Sequence, residues 1–359
     1  KGCLNCFNPS LIELPRKTKL SFLIPSQVKA IAGSRKRDQA IERIIEKPKH
    51  VHMRFTNKCN LTCRHCDIWK KKKGSEDELA VEEWKACIDK LFIWLGVFKL
   101  DLAGGEILLY PGVIPLIEYC AGKGISINLT TNATLINEAL AAKIINSGLY
   151  CINLSTDGLY DVHGYIRNKP DAFLKTQEAA YNLLGYRKKH TPYISTTTVI
   201  TKQNLNQLTE IINLPQKWGI NSSGFQVLDN NFGSEYTTEW FRHNEFWPDD
   251  FLQVEKAIDG LIAAKKAGMC INNSLEQLNA MKRYYRNPEE LSGQECLSGN
   301  NNFIVNESGK VMLCWNMPVV GDILKEDPER IWNGNKAYCI RQQIKQCRRT
   351  CRMLNCNYI

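Results

Sequence analysis

The sequence has no apolar run of the roughly 18–20 residues that a bilayer crossing requires. Its basic first fifty residues lack the apolar stretch and small-residue cleavage site of a secretory signal. There is no internal repeat beyond a strand–helix unit, no low-complexity segment and no RRM, KH or zinc-finger signature. Cysteine is too sparse for a disulfide scaffold: 15 among 359 residues, against roughly 8–10% in such chains. Acidic residues are in deficit, with 37 Asp and Glu against 47 Lys and Arg, for a formal charge of +10. Residues 16–49 alone hold ten basic and three acidic side chains. No aromatics interleave with that run as a stacking platform for nucleic acid would need, so nucleic acid is not an expected partner. What is present is a 43% hydrophobic, 23% charged chain, enough apolar material for a large core and too much for disorder. The expected protein is globular, without a membrane span, and cytoplasmic.

Between residues 51 and 228, short β-rich runs alternate with amphipathic stretches, the pattern of βα units around a parallel sheet. Strands are predicted at 51–55, 97–102, 125–130, 150–155, 193–200 and 224–228. Helices are predicted at about 80–95, 111–122, 136–147, 170–185 and 204–217, several with a following Gly as a stop. Six units in fewer than 180 residues fall short of the roughly 250 of a full eight-unit barrel. The fold class expected is therefore α/β, a partial (β/α)6 TIM-type barrel with a Cys-rich C-terminal extension. The domains would be a basic N-terminal segment with a CxxC pair (1–50), the partial barrel (51–230), a polar-aromatic loop with a helical connector (231–290) and a Cys-bearing domain (291–359). Further helices are predicted near 250–267 and 274–287, and a hairpin around 306–309.

The cysteines are grouped. Cys59, Cys63 and Cys66 stand at C-x3-C-x2-C spacing just after the first strand, where barrel enzymes carry their chemistry. Four-iron clusters usually take four Cys, so three leave one iron open to a substrate or cofactor. A zinc site would ask for four ligands in two pairs, and His65 lies inside the triad rather than in a second pair. Cys296, Cys314, Cys347, Cys351 and Cys356 form a second group, and Cys3 and Cys6 a pair. Cys87, Cys120, Cys151 and Cys270 lie in helical or strand patterns and read as buried hydrophobes.

The segment Thr56-Asn57-Lys58-Cys59-Asn60-Leu61-Thr62-Cys63-Arg64-His65-Cys66 resembles the cluster loop of radical S-adenosylmethionine (SAM) enzymes. Ala103-Gly104-Gly105-Glu106 resembles the GGE motif of that family, and Thr130-Thr131-Asn132 its polar cluster after the third strand. Ser155-Thr156-Asp157-Gly158 with His163 and Arg167 resembles the S-x-D-G and H-x3-R pattern of members with a C-terminal cluster extension. The resemblance implies a [4Fe-4S] cluster on Cys59, Cys63 and Cys66, with SAM on the open iron. Gly104, Gly105 and Glu106 would receive the SAM amino group, and Thr131 and Asn132 would face its ribose. Ser155 would contact SAM and Arg167 would pair with its carboxylate, with His65 and Asp157 in the same set. His163 is expected to be a structural hydrogen-bonder. The implied reaction is reductive cleavage of SAM to a 5'-deoxyadenosyl radical that takes a substrate hydrogen.

Cys296, the Gly309-x4-Cys314 pattern and Cys347-x3-Cys351-x4-Cys356 resemble the SPASM and twitch extensions that hold auxiliary iron–sulfur clusters. The downstream spacing departs from the usual SPASM run, which leaves one or two clusters open. One is favoured, on Cys296, Cys314 and two of the last three, with a structural zinc site as the rival reading of this tail and Cys3 and Cys6 as further ligands or free thiols. By resemblance the substrate is first a ribosomal peptide receiving a crosslink, thioether or epimerisation. The alternative is a small polar molecule such as a sugar, aminocyclitol or tetrapyrrole intermediate. Asp229, Asn230, Asn231 and Glu235, after the sixth strand, are candidates to touch it. The resemblance also implies a flavodoxin or ferredoxin-type electron donor, whose acidity the basic surface would attract.

Overall fold

In a computed structural model, residues 45–70, 78–188, 191–230, 237, 239–289 and 295–351 are described. Six parallel strands come in chain order: β1 (His50–Met53), β2 (Lys99–Leu102), β3 (Ser126–Thr131), β4 (Cys151–Ser155), β5 (Tyr193–Ile200) and β6 (Ser222–Val227). Between them run α1 (Val81–Leu95), α2 (Val113–Gly122), α3 (Glu138–Asn146), α4 (Tyr160–Arg167), α5 (Ala172–Tyr186), α6 (Leu208–Ile211) and α7 (Leu214–Trp218). Then follow α8 (Phe251–Lys266), α9 (Leu275–Arg286), α10 (Ser298–Asn301), β7 (Asn302–Val305), β8 (Lys310–Met312), β9 (Gly321–Asp322), α11 (Pro328–Asn333) and α12 (Asn335–Gln346).

Local chemistry sets many of these ends. Asn137, Asp250, Ser274 and Asp327 each accept a backbone N–H at the start of α3, α8, α9 and α11, satisfying donors that the first turn leaves unpaired. Helix α1 stops at Gly96, whose φ of +77° a residue with a side chain rarely adopts. The helix predicted over 204–217 is instead broken into α6 and α7, with Pro215 at the start of the second. Helix α4, absent from the sequence reading, is a short segment of low mean hydropathy.

The sheet order is β6-β5-β4-β3-β2-β1-β7-β8-β9. The first six strands add in sequence without reversal, so right-handed crossovers place all their helices on one face. That face is apolar: Val51, Met53, Leu100 and Leu102 are buried with Trp84, Ile88 and Leu91 of α1. The sheet is mostly parallel, backed by helices and not closed into a barrel. The hairpin expected around 306–309 is present, and its first strand, β7, pairs parallel with the free edge of β1. The Cys-rich C-terminal part is thereby continuous with the main sheet.

Candidate active site

The cysteine loop leaves the C-terminal end of β1 and is pinned by three neighbours. Gly105 N donates to Thr56 O at 3.1 Å and Glu106 N to Lys58 O at 2.7 Å, tying it to the end of β2. Asn132 Nδ2 donates to Asn60 Oδ1 at 2.8 Å, tying it to the end of β3, and Arg64 N donates to Ile166 O at 2.9 Å, tying it to α4. The two glycines therefore admit the loop's own backbone. A Cβ on Gly105 would lie 2.1 Å from the Lys58 carbonyl oxygen, and one on Gly104 2.6 Å from that of Thr56. Gly105→Ala is expected to displace the loop, lowering both the melting temperature and the iron retained after anaerobic reconstitution. Gly122→Ala, where the new methyl meets nothing within 4 Å, should leave both unchanged.

Glu106 is fully buried and its carboxylate accepts from Thr131 Oγ1 (2.7 Å), Asn132 N (2.8 Å) and Leu108 N (3.1 Å). Burial raises its carboxyl above the ordinary range, against those hydrogen bonds. Asp157, also fully buried, accepts from Val199 N at 2.9 Å and pairs with Arg167 Nη2 at 2.6 Å. Burial alone would push its carboxyl up; the Arg167 cation, with smaller help from His65 and His163, holds it below the usual range. Arg167 thus sits between Asp157 and the thiol of Cys63, 3.9 Å from its Nη1. His65 Nε2 is 3.9 Å from Asp157. Ser155 is half-buried at the end of β4.

His163 Nδ1 accepts from Asp157 N at 2.9 Å, which leaves the ring proton on Nε2. Burial, and then the Arg167 cation, push this imidazole down to about 3 from its ordinary 6.5. The unfolded chain therefore binds the proton first, so this contribution to stability is complete above pH 6.5 and is lost as pH falls towards 3. Denaturant unfolding across that range should show wild type losing stability more steeply than His163→Gln, which keeps an acceptor for Asp157 N but no titration.

Three thiols on one loop at the C-terminal edge of an open, singly wound parallel sheet, ringed by the GGE, Asn132 and Asp157–Arg167 positions, are joined by a direct family match. Residues 53–214 match the radical SAM superfamily model. The chain carries a radical SAM domain. Residues 296–357 match the SPASM iron–sulfur cluster-binding domain. The AdoMet-dependent heme synthase of Methanosarcina barkeri is 27% identical over 304 residues, 81% of this chain and 84% of that protein. The mycofactocin maturase MftC of Mycolicibacterium smegmatis is 28% identical over 184 residues, 50% of this chain but 45% of its own; the chain spans less than half of that relative. The crystal structure of Streptococcus suis SuiB superposes with a TM-score of 0.62 at 16% identity, over 82% of this chain and 68% of SuiB, a likeness of fold.

A radical SAM domain implies a [4Fe-4S] cluster with SAM, and a SPASM domain at least one auxiliary iron–sulfur cluster. The residues present suit both. Cys59, Cys63 and Cys66 are thiols raised chiefly by burial, Cys66 to about 11. Buried thiols become thiolates when iron takes the proton's place. Arg167 brings a positive charge to these thiols, and its Nε and His65 Nδ1 are buried without hydrogen-bond partners among the described residues.

At the C-terminal end, Cys296, Cys314, Cys347 and Cys351 come together from three separate segments. Burial, then Asp229, Cys314, Cys347 and Cys296, raise the Cys351 thiol. Asn316 N and Nδ2 point at Cys314 Sγ (3.4 Å) and Cys351 Sγ (3.9 Å). Asp229 lies at this junction, its carboxyl pushed up to about 6 by burial, with Asn230 beside it. Cys3, Cys6, Asn231, Glu235 and Cys356 lie outside the described residues. Among the described aromatics of the stretch after β6, Trp240 and Phe246 are buried, and Trp247 packs on Tyr284 and Tyr285. Cys87, Cys120 and Cys151 are buried as expected, whereas Cys270 is half-buried.

Sequence reasoning missed the clamp between the two cysteine sites. Glu307, in the hairpin between β7 and β8, accepts from Asn57 Nδ2 at 2.6 Å and pairs with Arg54 at 2.9 Å. The Arg54 guanidinium also lies 4.8 Å over the ring of Trp315, next to Cys314. The Asn57–Glu307 pair is 250 positions apart in sequence, so no local signal could have found it.

Proposed function

We propose that this chain is a radical SAM oxidase of a small molecule, with Cys59, Cys63 and Cys66 holding the SAM-binding cluster and Cys296, Cys314, Cys347 and Cys351 an auxiliary one. The observation that carries the reading is the physical link between the two thiol groups: β7 docks on the edge of β1, Glu307 of its hairpin pairs with Arg54 and Asn57 beside the cysteine loop, and the Arg54 guanidinium lies over the ring of Trp315, next to Cys314. When bound, the first cluster with SAM supplies hydrogen-atom abstraction and the second a place for the electron left on the substrate. The protein's part is to fix both sets of thiols, keep Asp157 ionised against Arg167, hold His163 neutral, and bury the site from water. A small molecule is favoured over a ribosomal peptide because the heme synthase likeness extends along most of both chains. The likeness to the mycofactocin maturase stops at about half of each. An acidic flavodoxin or ferredoxin in the cytoplasm would supply the electron, as the +10 charge favours.

The test is anaerobic reconstitution followed by reduction with SAM. Formation of 5'-deoxyadenosine with about eight irons per chain fits two four-iron clusters. About four irons, retained in Cys347→Ala/Cys351→Ala, would remove the auxiliary cluster and with it the oxidase reading.

A further inference from the structure

Glu307 stands between the two thiol sites with both carboxylate oxygens committed. Oε1 accepts from Asn57 Nδ2 at 2.6 Å, Oε2 from Arg54 Nε at 2.9 Å, and the backbone oxygen from Leu79 N at 2.9 Å. Glu307 and Asn57 are 6% and 7% exposed, so water cannot readily replace these bonds. Asn57 Oδ1 is buried without a hydrogen-bond partner among the described residues, which leaves Glu307 as the one side-chain anchor there for a residue two places before Cys59. Arg54 in turn lays its stem on the GGE turn, where a Cβ on Gly104 would lie 2.7 Å from Arg54 Cγ. The entry to the cysteine loop and the turn that faces it thus share one carboxylate of the C-terminal hairpin.

The far end of that hairpin is the second thiol site. Asn306 Oδ1 stiffens the turn by accepting from Ser308 N at 3.2 Å and Lys310 N at 2.8 Å. Strand β8 then runs for three residues, about 10 Å, to Leu313 and Cys314. Ser298 Oγ donates to Leu313 O at 2.9 Å, tying the strand end to the segment of Cys296. Asn316 reaches from beside Cys314 to the sulfur of Cys351, and Trp315 between them carries the Arg54 guanidinium over its ring. The cysteines at 296, 314, 347 and 351 are thiols rather than disulfides, so iron bound there would be the first covalent tie among three segments, and such binding energy is also ordering energy. Order gained at Cys314 passes along a short strand and a bonded turn to Glu307.

We infer that Glu307 is a positioning residue that couples the two sites: iron at the auxiliary thiols holds Glu307, Arg54 and Asn57 in place and so tightens iron binding at Cys59, Cys63 and Cys66. The inference rests on the two-cluster reading above and adds a cooperative order of loading to it. Coupling between two binding equilibria is reciprocal, so filling the first site tightens the second by the same factor, on the order of tenfold.

The test is competition with a ferrous chelator on the anaerobically reconstituted full chain. It reads the chelator concentration that removes half of the first cluster, followed by the reduced-state EPR signal that added SAM perturbs. Cys347→Ala/Cys351→Ala is expected to lower that concentration about tenfold, and Glu307→Gln to lower it by a similar factor. Combining the two should cost less than about threefold beyond either alone, the non-additivity of residues that act as one unit. Arg54→Met removes the other half of the pair and stands in if Glu307→Gln fails to fold, which melting curves identify. A tail that only adds general stability predicts the same tenfold loss in the Glu307→Gln and Arg54→Met backgrounds as in wild type. That result, or unchanged retention in Cys347→Ala/Cys351→Ala, would overturn the inference, as would auxiliary iron that resists the chelator equally in wild type and in the Cys59/Cys63/Cys66 triple Ala variant. Iron counts before chelation read the two-cluster proposal separately: about eight per chain in wild type and about four in Cys347→Ala/Cys351→Ala leave it standing whatever the coupling, whereas equal counts sink the reading beneath it.

Discussion

Replacing Cys59, Cys63 and Cys66 together by Ala is expected to abolish 5'-deoxyadenosine formation, to below one-thousandth of wild type on the order of what loss of an essential group produces. Iron should fall by about four per chain while the fold persists. The fold is expected to survive because the loop is held by backbone and carboxamide bonds, through Gly105, Glu106, Asn132 and Ile166, rather than by its sulfurs. The measurement is chromatographic quantification of the nucleoside beside a circular-dichroism melt. Retained nucleoside formation in a folded, iron-depleted variant would sink the assignment of this loop as the SAM site. A single Cys→Ser variant is less decisive, since a hydroxyl can still ligate weakly.

The second large effect is on stability. Asp157→Asn leaves the Arg167 guanidinium buried without its carboxylate, and breaking a buried pair in this way costs about 3–5 kcal/mol. The partners make it severe here: Asp157 is fully buried, its ion pair with Arg167 is 2.6 Å long, and the remaining nearby groups are a thiol and two imidazoles held neutral by burial. Denaturant unfolding of Asp157→Asn against wild type reads the cost. The double variant Asp157→Leu/Arg167→Met should recover most of it, because removing both charges leaves none to be desolvated. Equal loss in single and double variants would show that the pair itself contributes little. The double variant should still lose SAM cleavage if Arg167 also acts on the bound cofactor, which separates a structural from a catalytic deficit.

The arrangement also recasts two motif positions. Glu106 and Arg167 are implied by resemblance to meet SAM directly, yet in this structure each is first engaged by the protein: Glu106 by Thr131, Asn132 and Leu108, Arg167 by Asp157. Glu106 joins the ends of β2 and β3 beneath the cysteine loop, and Arg167 reaches from α4 to Cys63. Both therefore set the shape of the site whether or not they touch the cofactor.

The sequence by itself determined the class of fold, because hydrophobic period and helix stops are local: β5 falls on the predicted residues and the other five strands within about two. It determined the cluster loop for the same reason, since Cys59, Cys63 and Cys66 lie within eight residues and their spacing is readable without knowing what surrounds them. Even the polar face of the sheet was written there, in the alternation of Lys99-Leu100-Asp101-Leu102 and Cys151-Ile152-Asn153-Leu154-Ser155. Only the tertiary structure decided what that alternation means. In-order strands with right-handed crossovers send every helix to one side, so the polar set lines the open face and the apolar set the core. Only the tertiary structure, too, paired Asn57 and Arg54 with Glu307 and brought Cys296 and Cys314 to Cys347 and Cys351. Those contacts join residues dozens to hundreds of positions apart, and they exist because β7 docks on the free edge of β1, an edge-to-edge register that no local pattern encodes.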